Sequence, residues 1–217
     1  MDTSRRHIAA AVLYVCLVLV LVIALAVQVR TGSGLVHLDR SIEQSVTASR
    51  TPGLTAWARV LTTIGRILVV ATVALIVTAV AAIRRDDEAV VLLAVGLATS
   101  SVLVVGIKSI VGRARPPVID MTGPAPHSFS FPSGHTTAST IFYGILLLLA
   151  WRRTGNRWAR AALAAVFVAV VGGVGWSRVY LGFHWATDVL AGWLLGSAVL
   201  VALAVWRPPS LLRRQPT

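Results

Sequence analysis

Residues Ser177–Asp188 read SRVYLGFHWATD and lie between two long apolar segments. The stretch gathers Arg178, His184 and Asp188 where an oily chain can least tolerate them. At membrane depth such groups cost about 2.5–3.5 kcal/mol each on insertion scales, which marks them as functional candidates. His184 and Asp188 are four residues apart, so on a helix they share one face, one turn apart. A carboxylate there accepts the proton of one imidazole nitrogen and aims the other outward. A neutral, aimed imidazole serves as a general base or as a nucleophile. Arg178 presents a fork of donors suited to phosphate or carboxylate.

The surroundings are those of a polytopic membrane protein. The chain has 217 residues, 56% of them hydrophobic, and a mean hydropathy of +0.79, which predicts an all-α membrane helix bundle forming one domain over residues 1–217. The formal net charge of +12 would suggest nucleic acid in a soluble protein. Here the arginines fall between apolar spans and read as topology signals, so no nucleic-acid partner is expected. Cys16 is the single cysteine and excludes an intramolecular disulfide; packing is its expected role. Lys108 is the single lysine.

Six spans are expected, over residues 8–29, 54–83, 89–107, 135–151, 158–176 and 185–206. Ala24-Leu25-Ala26 raises a cleaved signal peptide, but the first apolar run is longer than a usual signal core, and an uncleaved helix is favoured. In the polar link after it, Leu35, Leu38, Ile42 and Val46 recur at helical spacing, with Asp39, Arg40 and Glu43 off that line. A short interfacial helix and an ordinary loop both fit. Arg59 and Arg66, seven apart in the second span, are expected to share a face. Gly192 and Gly196, and the cluster Gly172, Gly173 and Gly175, predict close helix packing. The N-terminal tail, the 84–88 and 152–160 turns and the C-terminal tail together hold eleven arginines. That excess predicts cytoplasmic termini in the cell membrane.

With six spans, three polar clusters fall on one side, which the charge count makes the outer one. Lys108 and Arg115 lie two helical turns apart and face one pocket if the third helix persists that far; Pro116 and Pro117 would then stop it. Pro132-Ser133-Gly134-His135 offers a helix N-cap, a glycine that lets an anion approach and a histidine. Ser177–Asp188 is the third cluster. Each alone has an ordinary explanation: an interfacial cation, a simple cap, a structural His–Asp pair. Together they supply three fixed cations, an N–H cradle and two histidines, a set suited to phosphate and to phosphoryl transfer.

Lys-x6-Arg-Pro, then Pro-Ser-Gly-His, then Ser-Arg-x5-His-x3-Asp, in this order, resembles the type-2 phosphatidic acid phosphatase family. This is the lipid phosphate phosphatase branch of a superfamily that also holds bacterial acid phosphatases, glucose-6-phosphatase and vanadium haloperoxidases. The motifs span residues 108–188, the catalytic core. The resemblance implies His184 as nucleophile, Asp188 as its orienting group, and His135 as acid to the leaving alcohol and then base to water. It implies that Lys108, Arg115, Arg178, Ser133 and the Gly134 N–H hold the phosphoryl oxygens. No metal and no cofactor is implied. Arg113, outside the minimal motif, reads either as a contact to a headgroup or second phosphate or as an interfacial residue; Ser177 as orienting a neighbour or bonding phosphate. Asp120 and His127 are candidates for substrate selection, with a solvated loop as the ordinary alternative. The implied substrate is a lipid phosphate in the bilayer: phosphatidic acid, phosphatidylglycerophosphate or undecaprenyl diphosphate. A phosphatase for small soluble phosphates and a non-hydrolytic phospholipid carrier are the alternatives.

Overall fold

A computed structural model describes residues 3–206. The C-terminal arginines counted above, Arg207, Arg213 and Arg214, lie outside the described residues. Eight helices follow one another, with no strand among the described residues: α1 (Thr3–Thr31), α2 (Val36–Ala48), α3 (Pro52–Ile64), α4 (Ile67–Ile83), α5 (Asp87–Val111), α6 (Gly134–Arg153), α7 (Arg157–Tyr180) and α8 (Ala186–Val205). A single 3-10 turn, Val118–Asp120, sits in the α5–α6 connection.

Local chemistry sets the helix ends. Thr51 caps α3 by accepting from the Leu54 N–H, with Pro52 in the first turn. Asp86 caps α5 and Asp87 and Glu88 follow in its first turn, where acidic groups complement the helix dipole. Asn156 caps α7 through the N–H groups of Trp158 and Ala159. Gly112, at φ +64°, ends α5 in the left-handed conformation with its N–H on Lys108 O. The α5 helix therefore stops short of Arg115, and Pro116 is not what stops it. Lys108 and Arg115 do not share a helix face; a loop brings Arg115 to the site.

The second span is not one helix. It breaks at Gly65 and Arg66, with a 45° bend between α3 and α4. A Cβ at Gly65 would meet Val174 Cγ1 at 2.4 Å, and Tyr143 Oη donates to the freed Ile64 carbonyl at 3.0 Å. The break is thus packed against α7 and α6. It puts Arg59 and Arg66 on separate elements, so they share no helix face.

Helix α6 occupies the middle of the bundle. Ile141, Phe142 and Ile145 pack with Leu92 and Leu93 of α5 and with Val70 and Ala74 of α4. On its other side Thr136 and Thr140 face α8, where Cβ atoms at Gly192 and Gly196 would come within 2.9 and 2.5 Å of the threonine Cβ atoms. Small residues let the two backbones approach, as expected where lipid gives helices no hydrophobic reason to associate. In the second glycine cluster Gly173 meets Leu61 and Gly175 meets Trp193, whereas Gly172 faces open space. Helix α1 lies along α8 through Val18, Val22, Leu195 and Ala198. Cys16 is exposed on α1 and so does not serve interior packing.

Among the described residues four helices, α1, α5, α7 and α8, are long and apolar enough to cross a membrane, and α3–α4 makes a fifth if the bent pair counts as one. The polar residues His135, Thr136, Thr137, Ser139 and Thr140 dilute α6, whose neighbours surround it. The segment 36–48 is a helix rather than a loop. Its apolar residues Leu35, Leu38 and Ile42 are exposed, while Asp39 and Glu43 are buried against the bundle.

Candidate active site

The end of α5, the start of α6, the end of α7 and the start of α8 converge at one end of the bundle. The loop residues Ser128–Phe131 tie them together. Lys108 Nζ donates to the carbonyls of Phe129 and Ser130. Arg115 Nε donates to Ser128 O at 2.8 Å and its Nη1 to Phe183 O at 2.7 Å. Ser133 N donates to Asp188 O at 3.0 Å, joining the α6 cap to α8.

Helix α7 ends at Tyr180, and the chain turns back at once. The N–H groups of Phe183 and His184 both donate to Arg178 O. Gly182 makes the turn at φ +78°, and a Cβ there would lie 2.3 Å from Asp120 O. Only glycine fits that angle and that contact. Arg50 holds the turn from outside, donating to Tyr180 O and to Asp120 O, each at 2.8 Å.

His184 is 2% exposed. Its Nδ1 lies 3.2 Å from Asp188 Oδ2 and its Nε2 lies 3.2 Å from Arg115 Nη1. The carboxylate fixes the proton on Nδ1, which leaves the Nε2 lone pair facing the cations. Asp188 is fully enclosed. Oδ2 also accepts from Ser130 Oγ and from Trp185 N, and Oδ1 accepts from Arg113 Nη1 at 2.6 Å. Arg178 donates to Thr62 Oγ1 at 2.7 Å, rests 4.4 Å over the Phe183 ring, and keeps a buried Nε with no partner. His135 is half-buried in the first turn of α6, and Arg178, Arg115 and Arg66 are the charges that bear on it. Ser133 caps α6, its Oγ accepting from Thr136 Oγ1 at 2.9 Å, and Gly134 follows directly. Among the described residues no group of three or more His, Cys, Asp and Glu is placed to hold a metal ion.

Two expected residues are placed otherwise. Arg113 is no free contact for a headgroup or second phosphate. Its side chain is 9% exposed and both ends are taken, one by Asp188 and the other by Asp39 at 2.6 Å. Ser177 is fully buried and its Oγ donates back to Val174 O at 2.6 Å, within its own helix. His127 lines a cleft of about 300 Å3 beside Arg115, with Val118, Met121 and Phe129. Ser130, Thr62, Thr187 and Asp39, none of them expected at the site from the sequence, are recruited by tertiary contact.

Burial pushes the His184 imidazole down to about 3, against the opposing hydrogen bond and charge of Asp188. Burial likewise lowers Arg115 from its usual value. His184 is therefore neutral at pH 7. Between pH 6.5 and 3 the unfolded chain takes up a proton there and the folded chain does not, so stability falls as pH drops through that window. Imidazole nitrogen shifts in histidine-labelled protein are expected to show one neutral ring at pH 5 that is missing from His184→Ala. A His184 that titrates near 6.5 would contradict this.

The PAP2 superfamily model matches residues 89–211, more than half of the chain. The chain belongs to the PAP2 superfamily. Among PAP2 relatives, it is 43% identical over 74 residues to the undecaprenyl-diphosphatase of Sulfolobus acidocaldarius, covering 34% of this chain and 32% of that one. The chain thus spans about a third of that relative's length. It is 34% identical over 150 residues to the decaprenylphosphoryl-5-phosphoribose phosphatase of Mycobacterium tuberculosis, covering 68% of this chain and 77% of the other. The crystal structure of a transmembrane PAP2 type phosphatidylglycerolphosphate phosphatase from Bacillus subtilis superposes with a TM-score of 0.77 at 24% identity, covering 87% of this chain and 93% of that one. At that identity the likeness is one of fold.

Proposed function

We propose that this chain is an integral-membrane phosphatase that hydrolyses a phosphate monoester or diphosphate carried on a lipid, through a phosphohistidine. The observation that carries the proposal is the aim of His184: Nδ1 on a fully buried carboxylate, Nε2 3.2 Å from a guanidinium that would bind a phosphoryl oxygen.

In the first step His184 Nε2 attacks phosphorus and the P–O bond to the lipid alcohol, or to the lipid phosphate of a diphosphate, breaks. His135 gives the leaving oxygen its proton. Lys108, Arg115 and Arg178 take up the charge on the equatorial oxygens, exchanging their present carbonyl and hydroxyl partners for phosphate. At the α6 N-terminus the Gly134 N–H and the Ser133 hydroxyl add donors, the Ser133 N–H being held by Asp188 O. In the second step His135 takes a proton from water, the oxygen attacks phosphorus, the N–P bond breaks and inorganic phosphate leaves. Asp188 holds the imidazole's tautomer through both steps.

Six spans complete the proposal, with α3–α4 as one broken span and α6 as the enclosed sixth. The turns 84–88 and 152–160 carry the basic residues at the end of the bundle away from His184 and are joined by the ion pairs Arg152–Glu88 and Arg153–Asp86. This favours a cytoplasmic position for those turns and an outward-facing site in the cell membrane. The relatives' names favour prenyl-linked phosphates as substrates. The purified chain in detergent with EDTA is expected to release phosphate from at least one of phosphatidic acid, phosphatidylglycerophosphate and undecaprenyl diphosphate, in preference to glucose 6-phosphate. Release from the sugar phosphate alone would overturn the lipid reading, and release from none would overturn the hydrolytic one.

A further inference from the structure

Asp39 stands on α2, before the segment that the family model matches, yet it is built into the site. It is 2% exposed. Oδ2 accepts from Arg113 Nη2 at 2.6 Å and from Thr187 Oγ1 at 2.5 Å, and Oδ1 accepts from Thr187 N at 3.0 Å. Arg113 Nη1 in turn reaches Asp188 Oδ1 at 2.6 Å and Thr187 Oγ1 at 2.7 Å. One guanidinium therefore bridges two buried carboxylates, and one of these is the partner of His184.

We infer that Asp39 is a positioning residue for the hydrolytic reaction, acting through Arg113 and Thr187 to hold Asp188 against His184. The inference rests on the phosphatase reading above. Asp188 Oδ2 serves His184, Ser130 and Trp185, whereas Arg113 is the partner found on Oδ1. Arg113 thus sets the rotation of the carboxylate, and Asp39 sets Arg113. Charge points the same way. Asp39, Arg113 and Asp188 sum to one negative charge beside the imidazole. Without Asp39 the guanidinium would act on Asp188 alone and weaken its hold on the Nδ1 proton. An amphipathic helix whose apolar side faces out needs no carboxylate beneath it, and a buried carboxylate is costly unless paired. Glu43 lies on the same buried face of α2 but bonds Thr47 of its own helix, which makes it a matched control.

The test uses the full chain in detergent with the best lipid substrate. Asp39→Asn is expected to lower kcat about 10- to 100-fold with KM changed less than about twofold, the pattern of a lost orienting interaction rather than lost binding. Asp39→Glu should recover part of kcat, and Glu43→Gln should leave it unchanged. Asp39→Asn combined with Arg113→Gln should cost no more than the worse single change, because both act along one path. Wild-type kcat in Asp39→Asn, a loss that merely tracks the folded fraction, or additive losses in the double variant would overturn the inference. If Asp39→Asn does not fold, Asp39→Glu carries the test: a lowered kcat at constant KM supports the inference, and wild-type kcat sinks it. A wild-type protein that releases no phosphate would fail the phosphatase reading, and this inference with it. An active wild type with an equally active Asp39→Asn fails this inference alone.

Discussion

Replacing His184 by Ala is expected to lower phosphate release by about 1000-fold or more, the scale on which loss of an attacking group is felt when the rest of a site persists. The side chain is buried, its Nδ1 is committed to Asp188, and its Nε2 faces Arg115. No other imidazole nitrogen is held in this way among the described residues. Lys108, Arg115 and Arg178 would remain, so substrate should still bind and KM should change far less than kcat. The substitution also leaves a cavity of imidazole shape beside the cations. Added imidazole is expected to restore part of the rate, a recovery that a misfolded protein would not show. Phosphate release in detergent, with and without imidazole, checks both expectations. An unimpaired His184→Ala would end the proposed mechanism.

Asp188→Asn is the second large effect. The side chain keeps its size but loses its charge and gains a donor. Four donors now converge on the carboxylate: Arg113, Ser130, Trp185 and His184. An amide cannot accept from all of them. The imidazole then takes the other tautomer, with its proton on Nε2 aimed at the substrate, where a lone pair is needed. A tautomer error of this kind costs about 10,000-fold in a serine protease, and kcat is expected to fall about 1000- to 10,000-fold here. Breaking a buried ion pair costs about 3–5 kcal/mol when it strands a charge, but Arg113 keeps Asp39. The variant should therefore stay folded with a moderately lowered Tm. Kinetics and thermal unfolding on the same preparation check the two parts. Near-normal kcat would mean that Asp188 does not set the tautomer.

The residues at this site differ in how far they could be read from the chain. His184, Asp188, Arg178, His135 and Lys108 were legible because polar groups at membrane depth stand out against apolar neighbours, and because their spacing is fixed along the sequence. Their meeting on one side was expected from six apolar runs, of which four helices among the described residues, or five with the bent pair, are long and apolar enough to cross a membrane. Arg113 and Arg115 lie two residues apart after the same helix, and only Arg115 falls in the Lys-x6-Arg-Pro pattern. What Arg113 does was not legible: contact shows that Arg115 reaches His184, while Arg113 is locked between Asp39 and Asp188. Helix α2 shows a second limit. Its apolar periodicity was visible, but period alone does not say which face turns inward. The acidic face did, because Arg113 and the α8 N-terminus wait there. The bend at Gly65 and Arg66 was hidden for a third reason. Apolar residues run on both sides of it, and what stabilises the break, Tyr143 Oη on Ile64 O, comes from another helix. Ser130 had no signal at all, being one serine in a loop rich in them.

The central claim is that phosphate passes through His184. Rapid mixing of the purified protein with a radiolabelled lipid phosphate, an alkaline quench and peptide mapping would test it. Double displacement requires acid-labile, alkali-stable label on the peptide that carries His184, formed within the first turnover and absent from His184→Ala. Turnover with no label on that histidine, or with label on another residue, would contradict it.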